Sequence, residues 1–393
     1  MKWERVELGE VFSQIKNGKS IKQTKDKKGI PITRIETIWN GKIDPEKFGY
    51  AGIESPSGYE DSLLKKGDIL MSHINSLKHL GKSASYKGSP NVLIHGMNLL
   101  RLRPKKEIIL PQYAEYFFKS KQFYTQVLAI SNQSVNQCSF SATKLKSLQI
   151  PLPPLSEQRR LAARLDQADA VRQKSRALVE AYAELGRSVF LEVFGDPVRN
   201  ERGWEVVALG EISEISSGST PSRSNPDYWE NGTIPWVKTG EVRGTEINET
   251  EEKITNKGLE ESSCKLYPKG SIIIAMYGQG KTRGRVGKLG IEATTNQACA
   301  VIMPKNKRVH PDFLFNFLDQ SYETLRNLGR GGNQPNLNSK IIKEFQIPLP
   351  PLPLQARFAA MVANIEAQRR LAERQLAAAE AVFGGVLQGT FEG

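Results

Sequence analysis

The sequence predicts an α+β protein with a pseudo-twofold repeat: two tandem α/β domains separated by two long helices that form an antiparallel coiled coil. Three observations predict this fold class. The chain has 393 residues, which is too long for one ordinary hydrophobic core. It repeats itself with a period of about 200 residues. Each repeat ends in a proline segment that is followed by a long run of helix-forming Ala, Arg, Glu and Gln.

The repeat is visible as short matches that occur in the same order in both halves of the chain. Residues 3–11 (WERVELGEV) match 204–212 (WEVVALGEI), 67–70 (GDIL) match 270–273 (GSII), 81–82 (GK) match 284–285 (GR), and 150–155 match 347–352 (IPLPPL in both). This order indicates a duplication. We therefore predict a first domain at 1–150, a proline segment and central helix at 151–198, a second domain at 199–347, and a proline segment and C-terminal helix at 348–393.

Within each domain, short β-branched and apolar runs are separated by Gly, Pro, Asn and Ser, which predicts strands and loops with a few short helices. The predicted strands are 30–35, 69–71, 234–237 and 271–276, and the matching predicted helices are 113–119 and 311–318.

The long helices are predicted at 156–194 and 354–388. Ser156 is a candidate N-cap of the first helix, Gly195-Asp196-Pro197 ends it, and Gly389 follows the second helix. At a rise of 1.5 Å per residue, each helix is roughly 50–60 Å long.

Each helix carries an apolar stripe spaced by threes and fours, which predicts that the two helices pack against each other. The stripes are Leu161, Leu165, Ala168, Val171, Leu178, Tyr182, Leu185, Val189 and Val193, and Leu354, Phe358, Met361, Ile365, Ala372, Leu376, Ala379, Phe383 and Val386. Arg172 and Ser175 interrupt the heptad pattern. The spare apolar surface either docks another protein or belongs to a spacer without a partner.

Composition places the chain among globular proteins, since 39% of residues are hydrophobic and 25% are charged. No apolar run approaches the roughly 18 residues of a membrane span. Met1 to Arg5 lead into no apolar stretch, so we expect no signal peptide. Three cysteines (Cys138, Cys264 and Cys299) without metal-like spacing fit a reducing cytoplasm, which is the predicted location.

The formal net charge of +13 indicates a polyanionic partner such as nucleic acid. Residues 1–150 hold 24 basic and 13 acidic side chains, whereas residues 201–350 hold 19 and 18. The charge therefore belongs almost wholly to the first domain, which we expect to carry most of the salt-dependent affinity.

Several catalytic patterns occur only in weak form. Residues 275–282 (AMYGQGKT) fit a relaxed P-loop, but the glycine-rich residues that follow cannot open the helix that a phosphate loop needs, so we predict a basic loop close to DNA. Asp227 with Glu251 and Glu252 resembles a nuclease pattern, although an acidic run is typical of a solvated loop. His73, His79 and His95 lack metal-ligand spacing, and we expect them to face solvent or DNA. The chain therefore has the character of a binding protein.

Taken together, the motifs resemble the specificity (S) subunit of type I restriction–modification systems. The resemblance rests on residues 3–11 and 204–212, on 276–278 (MYG) followed by 290–298 (GIEATTNQA), on 332–337 (GNQPNL), and on the two IPLPPL segments with their helices. It covers essentially the whole chain. Residues 353–355 (PLQ) replace the 156–158 (SEQ) of the first copy, so the second copy keeps the glutamine and loses the acid.

The resemblance implies a function in phage defence. In that family, each domain is a target recognition domain that reads one half of a bipartite, asymmetric site in double-stranded DNA. The helix pair sets the gap between the half-sites and docks two methyltransferase (modification) subunits, and restriction/translocase subunits add cleavage. The resemblance implies no catalysis and no cofactor in this chain, with S-adenosylmethionine, ATP and Mg²⁺ on the partner subunits.

Candidate DNA contacts are the basic and amide side chains of polar loops, because such groups bind phosphates and base edges. In the first domain they are Lys19, Lys22, Arg34, Ser72, His73, Asn75, Lys78 and Lys82. In the second they are Thr220, Arg223, Lys238, Tyr277, Gln279, Lys281, Arg283, Arg285 and Asn333. Asn296, Gln297, Asn333, Gln334 and Asn336 are either contacts of the same kind or turn residues that bond their own backbone.

Two alternatives to a sequence reader stay open. One is a DNA-binding scaffold that uses its coiled coil for assembly and has lost specificity. The other is a stand-alone nuclease or NTPase built on the weak patterns above. Purified protein that cut DNA or hydrolysed ATP by itself would favour the enzyme.

Overall fold

The structure is a computed structural model that describes residues 3–24, 26–39, 41–134, 137–278, 280–305, 307–328 and 336–392. It divides into two compact units, which we call unit 1 (Met1–Ala177 with Glu373–Gly393) and unit 2 (Leu178–Ala372). Each long helix contributes one half to unit 1 and the other half to unit 2. The boundaries predicted at residues 150, 198 and 347 separate each domain from the helix that follows it, whereas the two units divide each long helix between them. The predicted domain boundaries therefore stay a prediction.

Unit 1 contains the elements of the first repeat. Its strands are β1 (Arg5–Glu7), β2 (Phe12–Asn17), β3 (Ile38–Trp39), β4 (Lys42–Ile43), β5 (Ile69–Met71), β6 (Ile74–Asn75), β7 (Ser83–Ser85), β8 (Leu100–Pro104), β9 (Asn132–Gln133), β10 (Cys138–Ser139) and β11 (Gln149–Pro151). Its helices are α1 (Leu8–Val11), α2 (Pro111–Phe117), α3 (Lys121–Ile130) and α4 (Ala142–Lys146), followed by the first half of α5 (Leu155–Phe194).

The main sheet of unit 1 has the order β2-β8-β5-β7 and is antiparallel throughout. Alternate residues of β5 point to opposite faces, so Ile69 and Met71 enter one core and Leu70 enters a second, smaller one. Helices α2 and α3 cover the larger core. The last turns of the C-terminal helix also enter this core through Phe383 and Phe391.

Unit 2 contains the elements of the second repeat. Its strands are β12 (Glu205–Ala208), β13 (Ser213–Ser217), β14 (Ile234–Val237), β15 (Glu246–Ile247), β16 (Glu252–Ile254), β17 (Ile272–Ala275), β18 (Val286–Leu289), β19 (Thr294–Thr295), β20 (Cys299–Pro304) and β21 (Gln346–Leu349). Its helices are α6 (Leu209–Ile212), α7 (Asn256–Glu260), α8 (Pro311–Gln320), α9 (Tyr322–Leu328), α10 (Ser339–Lys343) and the first half of α11 (Leu352–Phe391).

The main sheet of unit 2 has the order β13-β20-β17-β18-β15, so its first four strands repeat the order of unit 1. Ile272 and Ile274 face the core beneath α8, and Ile273 faces a second core on the other side. The end of α5 completes the first core, since Phe194 packs 4.8 Å from Phe313 between ring centroids. The predicted tandem α/β repeat is confirmed.

One predicted strand is wrong. Residues 30–35 form no strand, and Ile32 makes only isolated bridges to Gly49 and Ile94. Pro31 lacks the N–H that a strand ladder needs, which explains why the apolar run does not extend. The other predicted strands, and the helices at 113–119 and 311–318, are present within about two residues of their predicted ends.

Helix α5 ends at Phe194 as predicted and begins one residue before its predicted start, whereas α11 extends beyond both of its predicted ends. Helix α5 begins at Leu155, and the carbonyl of Pro154 accepts the first helical hydrogen bonds, so the prediction of Ser156 as N-cap is wrong. Helix α11 continues through Gly389 to Phe391. The burial of Phe391 outweighs the low helix propensity of glycine at this point. No helix of the described residues is long and apolar enough to span a membrane.

The two helices run antiparallel within each unit. In unit 1, the Arg172 guanidinium lies 4.2 Å from the centroid of the Phe383 ring, and Arg176 pairs with Glu380 at 2.7 Å. Rising numbers on α5 therefore meet falling numbers on α11. In unit 2, Phe190 of α5 packs 5.5 Å from Phe358 of α11.

The predicted apolar stripes are buried mainly near the helix ends, where each helix also contacts a domain core. Towards the middle of α5 the stripe is largely exposed: Val171, Leu178 and Leu185 are 57%, 40% and 44% exposed. Met361 of α11 is 37% exposed. A single partner helix covers only a narrow seam, so part of the apolar stripe is left uncovered.

A buried glutamine attaches the start of each long helix to its domain. The side-chain oxygen of Gln158 accepts from the N–H of Leu110 at 2.9 Å, and its nitrogen donates to the carbonyls of Ile108 and Pro153. In unit 2, Gln355 repeats the pattern with His310, Arg308 and Pro350. Both glutamines are fully buried, so each amide replaces its water contacts with three hydrogen bonds.

Candidate nucleic-acid interface

The predicted basic contacts of unit 1 lie at its surface. Lys19, Lys22, Arg34, Lys78 and Lys82 are all exposed. Three of them have local partners: the Lys19 ammonium donates to the carbonyl of Gly58 at 3.2 Å, Arg34 pairs with Glu36 at 3.5 Å, and the Lys82 ammonium lies 3.0 Å from Nδ1 of His79. The surface therefore has cations on several loops, as expected for phosphate binding.

Ser72, His73 and Asn75 have a different environment. Ser72 and His73 are buried, and Nε2 of His73 lies 3.0 Å from the side-chain nitrogen of Asn17. Burial lowers the pKa of His73, which keeps the ring neutral at pH 7. Asn75 is half-buried and donates to Ser72 Oγ at 3.2 Å. Only Asn75 of this group reaches the surface, and the DNA contacts of all three stay a prediction.

The expectation that the histidines face solvent or DNA is wrong for His95. The burial of His73 contradicts a solvent-facing ring, and its DNA contact stays a prediction. His95 has no exposed surface, and its Nε2 lies 2.8 Å from the carbonyl of Leu99. A carbonyl only accepts, so Nε2 carries the proton. His79 is half-buried, and its Nδ1 lies 3.0 Å from the Lys82 ammonium.

In unit 2, an open cavity of about 530 Å³ collects three of the predicted contacts. The Arg223 guanidinium lies 3.7 Å from the ring centroid of Trp229 and 4.8 Å from that of Trp236. The Thr220 hydroxyl donates to the side-chain oxygen of Gln297. Amide, hydroxyl and guanidinium groups thus share one concave surface, which is the kind of donor and acceptor set that reads base edges.

The charges of this cavity are largely paired with one another. Lys238 donates to Glu251 at 2.8 Å and to Glu252 at 2.9 Å, and Arg223 also pairs with Glu252. These hydrogen bonds raise the pKa of Lys238 and lower the pKa values of both carboxyl groups. The cavity therefore presents polar contacts with little net charge, in contrast to the exposed lysines of unit 1.

The basic glycine-rich loop lies between β17 and β18. Tyr277 and Lys281 are exposed, Arg283 is half-buried, and the Arg285 guanidinium lies 4.3 Å from the centroid of the Tyr322 ring. Strand β18 follows the loop directly, which confirms that no helix opens after the P-loop-like residues. Gln279, Asn333 and Gln334 lie outside the described residues.

The nuclease-like acids do not share a site. Asp227 pairs with Lys257 at 2.6 Å, whereas Glu251 and Glu252 pair with Lys238. Among the described residues, no group of three or more His, Cys, Asp or Glu is placed to hold a metal ion. These acids act as partners of basic side chains.

Sequence reasoning missed the aromatic platform and the two helix-anchoring glutamines. Trp229 and Trp236 pack edge to face, 5.0 Å between centroids, and hold Arg223 in place. The first repeat has no tryptophan pair in the corresponding loop, so the repeat gave no signal. For Gln158 and Gln355 the signal existed, because this glutamine is kept in both copies while the acid beside it is not.

Comparison with known proteins decides the family. The profile of the Type I restriction modification DNA specificity domain matches residues 1–181 and again residues 201–381. The chain belongs to this specificity family. The resemblance found in the sequence motifs is thereby confirmed, and each profile match includes one repeat with most of its long helix.

Members of the specificity family resemble the chain along most of its length. The putative type I restriction enzyme MjaX specificity subunit of Methanocaldococcus jannaschii is 34% identical, covering 93% of this chain and 87% of that protein. The MjaIX specificity subunit of the same organism is 28% identical and covers 84% of this chain and 82% of its own length.

Solved structures show the same fold. The S subunit of a type I restriction–modification system from M. genitalium matches with a TM-score of 0.61 at 15% identity, covering 100% of this chain and 96% of that one. A chain from a study of complex assembly and conformational transition in the type I R-M system matches with a TM-score of 0.57 at 21% identity, covering 98% and 96%. The fold of the specificity family is therefore the fold of this chain.

Proposed function

We propose that this chain reads a bipartite, asymmetric DNA sequence for a type I restriction–modification complex, with each unit recognising one half of the site. One observation carries the proposal: the same order of four strands occurs in both units, but the two units expose different side chains. Unit 1 presents exposed lysines, and unit 2 presents a polar cavity whose charges are paired. Because the two units share a fold but differ in their exposed side chains, they recognise two different half-sites.

Base reading in unit 2 is assigned to the cavity around Arg223. Gln297 and Asn296 offer amides that match the donor and acceptor pattern of adenine, and Glu251 offers an acceptor for the amino group of cytosine. Arg223 is held over two tryptophans and is therefore oriented before DNA arrives. Because the Arg223 side chain is already fixed, it loses less conformational entropy when DNA binds.

The long helices are proposed to fix the gap between the half-sites and to dock the modification subunits. The exposed apolar residues of α5 (Val171, Leu178 and Leu185) support the second role, because they are spaced by seven and lie on one helix face. Restriction/translocase subunits are the remaining proposed partners of the complex.

We also propose that the chain is non-catalytic and that S-adenosylmethionine, ATP and Mg²⁺ act on the partner subunits in the cytoplasm. The P-loop-like residues support this, because they lead into β18 and not into a helix whose N-terminus holds phosphate. The nuclease-like acids support it as well, because each is paired with a basic side chain.

Mapping of methylated adenines in the host genome tests the proposal. We expect one bipartite motif to lose methylation when the gene is deleted, and Gln297→Ala to relax only one of its two halves. If the complete complex bound DNA in a salt-dependent manner without any sequence preference, the chain would be a scaffold and the proposal would be overturned.

A further inference from the structure

Unit 1 contains a large cavity, and two of the predicted DNA contacts, Lys78 and Lys82, lie on its wall. Its volume is about 1090 Å³. Strand β7 and the loop before it form one wall, helices α2 and α3 form the second, and the first half of α5 forms the third. Every residue that lines it belongs to unit 1.

The acidic groups of the cavity are already engaged. Glu115 accepts from Ser85 Oγ and pairs with Lys87 at 3.4 Å and Lys119 at 3.2 Å. Burial raises the pKa of Glu115, but Lys119, Ser85 and Lys87 together hold it below its usual value, so it is ionised. Asp169 on α5 pairs with Arg172, and Asp166 accepts from the Tyr116 hydroxyl at 2.6 Å and from the Gln112 amide.

Four further lysines line the cavity: Lys42, Lys78, Lys82 and Lys121. Within the described part of the chain, no carboxylate forms an ion pair with any of them. The cavity therefore has an excess of positive charge that its own acids do not neutralise, which suits an anionic ligand.

The N-terminus of α3 opens into the same cavity. Ser120 is the N-cap and accepts from the N–H of Phe123 at 3.2 Å, and both Ser120 and Lys121 line the wall. The first amide groups of a helix have no acceptor within the helix and carry its positive dipole end. This arrangement favours an oxyanion.

A second, independent feature points to a ligand. Ser83 is 5% exposed and lines the cavity, and in the described structure its Oγ has no hydrogen-bond partner. A buried hydroxyl without a partner is costly. Gly81, two residues earlier, has φ +75°, a backbone conformation that favours glycine. A ligand oxygen in the cavity would supply the missing partner.

We propose that this cavity binds the phosphate group of a nucleotide, with Ser83 Oγ, the α3 N-terminus and the four lysines without a carboxylate partner as its donors. The walls also include apolar side chains that suit a sugar and a base, among them Leu80, Phe118 and Tyr124, and the Tyr124 ring is 40% exposed. The phosphate has two possible sources: a free nucleotide or a DNA strand. The DNA source rests on the proposed function, and the free nucleotide does not.

The test measures binding of AMP, ATP, pyrophosphate and a short DNA duplex to the full-length chain by calorimetry. Two variants probe the cavity: Ser83→Ala in its interior and the double variant Lys78→Gln/Lys82→Gln at its wall. Lys106→Gln is the matched control, because Lys106 is exposed in the same unit and does not line the cavity. Thermal unfolding of each variant verifies the fold.

We expect the double variant to weaken phosphate binding by at least about tenfold and Ser83→Ala by about fivefold, with Lys106→Gln unchanged. If AMP and pyrophosphate show these losses, the source is a free nucleotide. If only the duplex binds and Ser83→Ala weakens it, the source is a DNA strand. Either result supports the proposal, because only a ligand inside the cavity reaches Ser83.

Three results would overturn it: no phosphate-bearing probe binds, or the cavity variants bind as the control does, or the variants impair only the capture of modification subunits. The last result would make the cavity a protein-docking surface. Failure of the proposed function is a separate outcome. In that case the complex with the wild-type chain would methylate no specific sequence, whether or not the chain binds AMP or pyrophosphate.

Discussion

Basic residues have different partners in the two units. Lys22 is exposed in unit 1, and no described carboxylate pairs with it. Lys238 in unit 2 lies between Glu251 and Glu252. A lysine that already has two carboxylate partners must give them up to bind a phosphate, so the two lysines differ in what they add to non-specific DNA affinity.

This difference predicts the salt dependence of DNA binding. We expect Lys22→Gln to reduce the slope of log K against log salt by about 0.9, the value for one phosphate contact, and Lys238→Gln to leave it nearly unchanged. Titrations of the complete complex at several salt concentrations measure both slopes. Equal reductions in the two variants would show that the ion pairs of Lys238 open on binding.

The buried His95 predicts a pH dependence of stability. Burial lowers its pKa from 6.5 to about 4, with Arg101 and Lys16 adding to the shift and the Leu99 carbonyl and Asp68 opposing it. Below pH 6.5 the unfolded chain takes up a proton that the folded chain does not. His95 therefore does not lower the free energy of unfolding above pH 6.5. As the pH drops from 6.5 towards 4, His95 lowers the free energy of unfolding by up to about 3 kcal/mol.

His95→Gln tests this prediction, because glutamine can donate to the Leu99 carbonyl but does not titrate. Urea unfolding between pH 4 and 7 should give a shallower pH slope for the variant than for the wild type. Half-buried His79 is the matched control position, and His79→Gln should stay much closer to the wild-type slope. Identical slopes for His95→Gln and wild type would contradict the assignment.

At the scale of elements, the two buried glutamines join each long helix to the loop before a domain helix. Gln158→Leu would leave the Leu110 N–H and the Ile108 and Pro153 carbonyls without partners. We expect a loss of about 3 kcal/mol in the free energy of unfolding, since each buried unpaired group costs about 1–3 kcal/mol. Chemical denaturation measures it.

Gln167→Leu provides the comparison for that loss, because Gln167 is exposed on the same helix. We expect its stability to stay within about 0.5 kcal/mol of wild type. A similar loss in both variants would mean that leucine on α5 is harmful in itself and that the three hydrogen bonds of Gln158 contribute little.

The exposed apolar row of α5 predicts a protein contact. Leu178→Asp should weaken capture of co-expressed modification subunits by about tenfold, because a charge in an apolar interface is poorly solvated. Ala183→Asp places the same charge at another exposed position of the helix and should have little effect. Pull-down from cells that express all subunits compares the two. Equal capture by the two variants would show that the exposed apolar residues of α5 do not bind the modification subunits.

For the whole molecule, the repeat predicts more than the composition does. The matches at 3–11 and 204–212 and the two IPLPPL segments are sufficient to predict two domains and two long helices, and the topology of both units agrees. The second domain has almost no net charge, so charge alone would not have marked it as a DNA reader.

Details of the site depend on contacts that no local pattern encodes. Arg223 is oriented by Trp229, six residues away, and by Glu252, which comes from a separate strand. His95 is polar, yet it is buried because its ring has a carbonyl partner inside the unit. Arg223 and Glu252 are 29 residues apart, and the other two contacts depend on how the surrounding chain folds. None of them can be read from spacing along the chain, whereas duplicated motifs and helix-forming runs can.

Helix length predicts the spacing of the recognised site. Removal of seven residues from the middle of each long helix, 174–180 and 370–376, shortens each by about 10 Å, or about 3 base pairs of DNA. We expect the methylated motif to keep both halves and lose about 3 base pairs of its gap. A motif with an unchanged gap would show that the helices do not set the spacing.

The C-terminal end of α11 has a consequence for how the protein is made. Phe383, Leu387 and Phe391 complete the core of the unit that begins the chain, yet they leave the ribosome about 200 residues after the rest of that core. At about 5–20 residues per second, the delay is on the order of 10–40 s. The domain that is synthesised first is therefore the one that finishes folding last, and it must stay soluble without its final apolar turns while unit 2 is translated.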